Sequence, residues 1–306
     1  MKKSLIKKII TFLSIATMVT PAWSIKPPKN KIDTLRHAAE KGDSNAQNEL
    51  GTMYAKSDGV EKNEKEAVRW YKLAANQGLS KAQYNLGMMY LDGIGIEKDA
   101  VKAKKWFQLA AKQGLIEAQC NLGICYYLGI GAEKNATEAE KWFNLAANQG
   151  DAESQYNLGM IYLEGSYIAK DMAKAKQWLH LAANQGFVKA QYNLGVMYRD
   201  GLGSTSDKTE AMHWLHLAAD QGSAKAQYNL GEMYRDGIGT TQNKQKAALF
   251  FRLAACQSFP EAQYTLGVMY YNGDGVEKNK TEAIKWITLA ANQGLVQAQN
   301  ALKQLK

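Results

Sequence analysis

From Ala46 to the C-terminus the chain repeats itself every 36 residues without an insertion. Ala46, Ala82, Ala118, Ser154, Ala190, Ala226, Ala262 and Ala298 share one slot of successive copies. A period of that length is the mark of a solenoid, in which each copy buries its apolar stripe only by stacking on the next. Seven copies start at residues 46, 82, 118, 154, 190, 226 and 262.

The copy from Ala82 to Glu117 shows the logic. Ala82, Leu86, Met89 and Tyr90 follow the spacing of a helical stripe, and Gly93 and Gly95 end that helix. A second helix starts at a slot holding Asn63, Asp99, Asn135, Asp171, Asp207, Asn243 and Asn279, side chains able to accept a free backbone N–H. Glu66, Glu138, Glu210 and Glu282, three residues on, are placed to complete capping boxes in alternate copies. Ala103, Trp106, Phe107, Ala110 and Ala111 share one face before Gly114 allows a left-handed turn. Stacking would bring backbones close at the Leu-Gly and Ala-Ala pairs. The ladder Trp70, Trp106, Trp142, Trp178, Trp214 and Trp286 then reads as core.

Residues 33–45 match only the second helix of a copy and 298–306 only the first, so both ends read as half-repeat caps, which brings the helix count to 16. The sixth copy is the least regular, with Phe250 for tryptophan, Ser258 for the turn glycine and Pro260 close behind. Ser57 replaces the first loop glycine in copy one, and Tyr167 the second in copy four.

The pattern carried by Leu86, Gly87, Tyr90, Gly93, Gly95, Ala103, Trp106, Ala110, Ala111 and Gly114 resembles the Sel1-like repeat, a relative of the tetratricopeptide repeat, from Thr34 to the C-terminus. The resemblance implies an all-α, right-handed α/α superhelical solenoid of seven 36-residue helix-turn-helix repeats. It also implies an adaptor that binds a protein or peptide partner, in bacterial envelope processes and encounters with host cells or, in eukaryotes, in the endoplasmic reticulum. The short lysine-rich leader and compact loops favour the bacterial setting.

Lys2, Lys3, Lys7 and Lys8, the apolar run Ile9–Thr20 and Ala22-Trp23-Ser24 describe a secretory signal peptide, 1–24, followed by a linker, 25–32. The expected location is periplasmic or secreted, with no stable membrane insertion after cleavage. An uncleaved inner-membrane anchor is the alternative. Removing the leader lowers the formal charge from +9 to +5, spread over mixed Lys/Glu loops, which excludes a nucleic-acid groove. Cys120 and Cys125 point about 140° apart on one helix, and Cys256 stands far off, so no per-repeat disulfide is expected. His213, His216 and His180 lack a third ligand and give no metal site. Serine β-lactamase chemistry needs Ser-x-x-Lys with Lys-Thr-Gly. Here Ser4–Lys7 lies in the leader and Lys208-Thr209 is followed by Glu210, so no catalytic residue and no cofactor motif is legible. A β-lactamase-like or peptidoglycan-associated role is the alternative to the adaptor.

Alignment with tetratricopeptide repeats puts the candidate partner-binding residues on a concave face: Tyr84, Met88, Leu91, Ile124, Tyr127, Tyr156, Met160, Leu163, Tyr192, Arg199, Tyr228, Arg235 and Tyr271. The first half is apolar and adaptable, whereas the second adds Arg199 and Arg235, expected about 10 Å apart as an acidic-peptide site. Asp200 and Asp236 directly follow these arginines and offer them an internal partner instead. The tyrosines have two readings, sideways packing or binding. So does the row Asn85, Asn121, Asn157, Asn193 and Asn229, which would clamp a peptide or tie helices together.

Overall fold

The computed structural model describes residues 29–165, 168–203 and 205–305. The leader, residues 25–28 of the linker and Tyr167 lie outside these. Among the described residues there are sixteen α-helices and no strand. The chain divides into two compact parts, Met1–Asp99 and Ala100–Lys306.

The first part holds α1 (Lys29–Glu40), α2 (Ser44–Lys56), α3 (Glu64–Asn76) and α4 (Ser80–Asp92). The second holds α5 (Ala100–Lys112), α6 (Ile116–Leu128), α7 (Ala136–Asn148), α8 (Ala152–Glu164), α9 (Met172–Asn184) and α10 (Val188–Asp200). It continues with α11 (Lys208–Asp220), α12 (Ala224–Asp236), α13 (Lys244–Cys256), α14 (Pro260–Asn272), α15 (Lys280–Asn292) and α16 (Val296–Leu305). Within each part every helix packs on its neighbours in chain order, the architecture of an all-α repeat solenoid. The first helix begins at Lys29, inside the stretch read as a linker.

The Asx slot caps the second helices as expected. Asn63, Asn135, Asp171, Asp207, Asn243 and Asn279 each accept from the backbone N–H three residues on. The reciprocal half of the capping box is occupied by other groups. The N–H of Asn63, Asn135, Asp207 and Asn279 donates to the carbonyl of Tyr54, Tyr126, Tyr198 and Tyr270, which closes the loop onto the preceding helix. The glutamates are therefore available elsewhere: Glu210 and Glu282 accept from the indole N–H of Trp214 and Trp286 at 3.0 Å, while Glu66 pairs with Arg69 and Glu138 with Lys141.

The tryptophans themselves are a correction. Trp70, Trp142 and Trp214 are buried, but Trp106, Trp178 and Trp286 are only half-buried. The residue that follows them reaches the centre: Phe107, Phe143, Leu179, Leu215 and Phe251 are at most 1% exposed. Each of these side chains from Phe143 on lies against the glycine of a Leu-Gly pair. A Cβ on Gly123 would meet the Phe143 ring at 2.7 Å, and one on Gly231 the Phe251 ring at 2.7 Å. Glycine is what lets the two helices close on the ring, and burying such a side chain contributes about 2 kcal/mol.

A buried glutamine row completes the stack. Gln119, Gln155, Gln191, Gln227 and Gln263 are each 5% exposed or less. Every one donates its amide to the carbonyl eight residues back, Ala111, Ala147, Ala183, Ala219 and Ala255. Each accepts at Oε1, at 2.8 Å, from the glutamine thirty residues on, Gln149, Gln185, Gln221, Gln257 and Gln293. Gln47 makes the same pair of bonds, with Ala39 and Gln77, in the first part. One side chain thus satisfies polar groups on three successive helices. At the irregular turns Ser57 and Ser258 take the left-handed conformation that glycine adopts elsewhere, at φ 60° and 61°.

Candidate partner-binding face

The first helices of the second part carry a row of side chains that reach from one repeat to the next. The hydroxyl of Tyr127 donates to Glu164 at 2.6 Å. The Asn193 amide lies 3.4 Å from the Tyr156 hydroxyl and 3.1 Å from Met160 Sδ. Arg199 donates to Asn229 Oδ1. Spacings of 30 to 37 residues mean that each link crosses one repeat joint. Ile124, Tyr127, Tyr156, Met160, Leu163, Tyr192, Tyr228 and Arg235 are half-buried along this row, and Tyr271 is exposed beneath Lys278. Tyr84 and Met88, half-buried, belong to the first part.

Four expectations need correction or refinement. Leu91 is 6% exposed and so belongs to the core rather than to a binding face. Cys120, in the slot held by Tyr156 and Tyr192 elsewhere, is also buried, and burial pushes its thiol well above the usual range. The tyrosines pack sideways: Tyr156 lies 5.2 Å from Phe187, and Tyr228 lies 5.3 Å from Phe259 and 5.4 Å from Phe251. That burial raises the pKa of Tyr156, Tyr192 and Tyr228.

The arginines are the fourth. Arg199 makes two bonds to Asp200 at 2.8 and 3.2 Å, and Arg235 two to Asp236 at 2.7 and 2.8 Å. The Arg235 guanidinium holds Asp236 below the usual carboxylate range. Each arginine thus makes a two-bond pair with the aspartate that follows it, the internal partner that the sequence offers.

The asparagine row is likewise interrupted. Asn85 donates to Asn48 at 3.0 Å in the first part, Asn193 and Asn229 bond to the groups above, and the Asn157 amide nitrogen has no partner. Asn157 follows Cys120 by the same 37 residues by which Asn193 follows Tyr156, so the repeat supplies a thiol in the slot where Asn193 has a phenol.

Cys120, Cys125 and Cys256 are free thiols, the first two buried and the last exposed. Among the described residues no group of three His, Cys, Asp or Glu could hold a metal ion, and no helix is long and apolar enough to cross a membrane. His180 and His216 are half-buried.

The Sel1 repeat family model matches residues 44–79, 80–115, 116–151, 152–187, 188–223, 224–259 and 260–295. Among solved structures, the chain is 35% identical to c5321, a protective antigen of uropathogenic Escherichia coli strains with an SLR fold, at a TM-score of 0.85 over 90% of this chain. It spans 59% of that antigen's length. A Sel1 repeat protein from Oxalobacter formigenes is 36% identical, at a TM-score of 0.78, over 90% of this chain and 80% of that one. No curated protein matches the chain.

Proposed function

This chain belongs to the Sel1 repeat family, and from that premise we propose that it is a non-enzymatic adaptor that holds a protein or peptide partner on its first-helix row, exported to the bacterial envelope or secreted toward a host. A repeat scaffold of this kind fits protein interaction. The observation that carries the finer reading is the change of side chains along a constant frame. Ile124, Tyr127, Met160 and Leu163 form an adaptable apolar stretch, while the arginines farther on are already neutralised. Recognition is therefore centred on repeats three and four. The lysine-rich leader and the likeness to a protective antigen support export.

Photo-crosslinking tests this. A benzoylphenylalanine at Met160 of residues 25–306 should capture a partner from periplasm or host lysate, whereas the same group at Leu181, exposed on the second helix α9, should not. Equal labelling from both positions refutes the assignment of the face. Rapid hydrolysis of a chromogenic β-lactam by the pure protein would overturn the non-enzymatic reading, and an intact Met1 in the membrane fraction would replace export by anchoring.

A further inference from the structure

Two repeat joints differ from the rest in one slot. His180 and His216 occupy the position that elsewhere holds Lys72, Gln108, Asn144, Arg252 and Thr288, none of which changes charge near pH 6. Both imidazoles bridge a joint in the same way. His180 Nε2 shares a hydrogen bond of 2.9 Å with the Tyr198 hydroxyl on α10 and stands edge-on to Trp214 of α11, with ring centres 5.5 Å apart. His216 Nε2 shares one of 3.2 Å with Tyr234 on α12 and stands edge-on to Phe250 of α13, also at 5.5 Å.

We propose that the joints between repeats four and five and between repeats five and six form an acid-sensitive section of the array, loosened when His180 and His216 take up protons. The surroundings oppose the charge. Lys176, on the same helix as His180, already lies over the Tyr198 ring at 3.7 Å, and Glu210 of α11, the facing carboxylate, is engaged by Trp214. His216 has Lys246 of α13 over the Tyr234 ring at 5.2 Å and His213 on its own helix, against the carboxylate of Asp220 one turn on along that same helix.

Burial is the first cause and these cations a further one that hold both imidazoles below the ordinary histidine pKa, with Glu210 and Asp220 opposing. An unfolded chain therefore binds these protons more readily than the folded one. The stabilisation is complete above about pH 6.5 and is lost as the pH falls below it. The helices affected, α10 and α12, carry Arg199 and Arg235 in their last turns, so the acid response falls in the second half of the binding row.

The test compares thermal melting of residues 25–306 and of H180Q/H216Q at about pH 7.5 and about pH 5.5. Glutamine is already a native occupant of the slot at Gln108, which makes the variant compatible with the fold. Acidification should lower the wild-type Tm by at least about 3 °C more than that of the variant, and H37Q, altered at an exposed position of α1, should keep the wild-type loss. Histidine side-chain NMR of the native protein gives a second readout, in which His180 and His216 should titrate below about 6.5. Equal acid losses in wild type and H180Q/H216Q, or titration of both imidazoles at or above that value, would overturn the proposal.

Discussion

Replacing Gln191 by methionine isolates the contribution of the glutamine row. The two side chains are similar in volume, so the change removes hydrogen bonds and leaves packing nearly intact. Gln191 is 3% exposed, and it gives up a 3.2 Å bond to the Ala183 carbonyl and a 2.8 Å bond from Gln221. At about 1 kcal/mol each the loss is about 2 kcal/mol. The unsatisfied-group penalty is small on both sides: the Ala183 carbonyl keeps the N–H of Gly186 at 2.9 Å, and the exposed Gln221 regains water. Cutting the same link from the outside, with Gln221→Ala, leaves the buried Gln191 Oε1 without its donor and should cost about 1–3 kcal/mol. Because repeat arrays unfold in sections, the assay is native-state hydrogen exchange at the amides of α10 and α11 as well as urea unfolding. Gln191→Met within about 0.3 kcal/mol of wild type would show that the row fills space and adds no cohesion.

Gly231→Ala should destabilise by about 1–2 kcal/mol in urea unfolding, since its Cβ would sit 2.7 Å from the rigid Phe251 ring and the gain in helix propensity offsets only part of that overpacking; a stabilised variant would show that the ring moves freely. Ser258→Gly should raise stability by about 1 kcal/mol by relieving the left-handed serine at φ 61°, measured by the same titration, and would also slow hydrogen exchange over residues 243–262, the stretch expected to be the least regular joint; a loss of stability would contradict the strain.

The helix pairs were legible because one slot pattern is read seven times over, so that a departure such as Phe250 stands out against its copies. Phe143 and Leu179 were not given their central place because tryptophan, the larger neighbour, carries more apolar surface; only the position of the ring relative to Gly123, twenty residues earlier, reveals which of the two reaches the axis of the joint. The glutamines were passed over as polar, although their recurrence at 47, 83, 119, 155, 191, 227, 263 and 299 was itself the signal. Side-chain partners on the binding face are not legible in the sequence: whether Arg199 meets a ligand or Asp200 depends on a local rotamer that no periodicity encodes.

The joints of the second part share one glutamine link. If residues 152–187 were excised, Val188 would follow Asp151, which like Phe187 sits at the N-cap of a first helix. The Ala147 carbonyl now met by Gln155 would be met by Gln191, and Gln191 would still receive Gln221. The new seam would keep this glutamine link, so duplication or loss of a 36-residue segment changes the reach of the molecule and preserves the bond that runs through every joint, while side chains particular to one joint, such as His180 and Glu164, go with the segment that carries them.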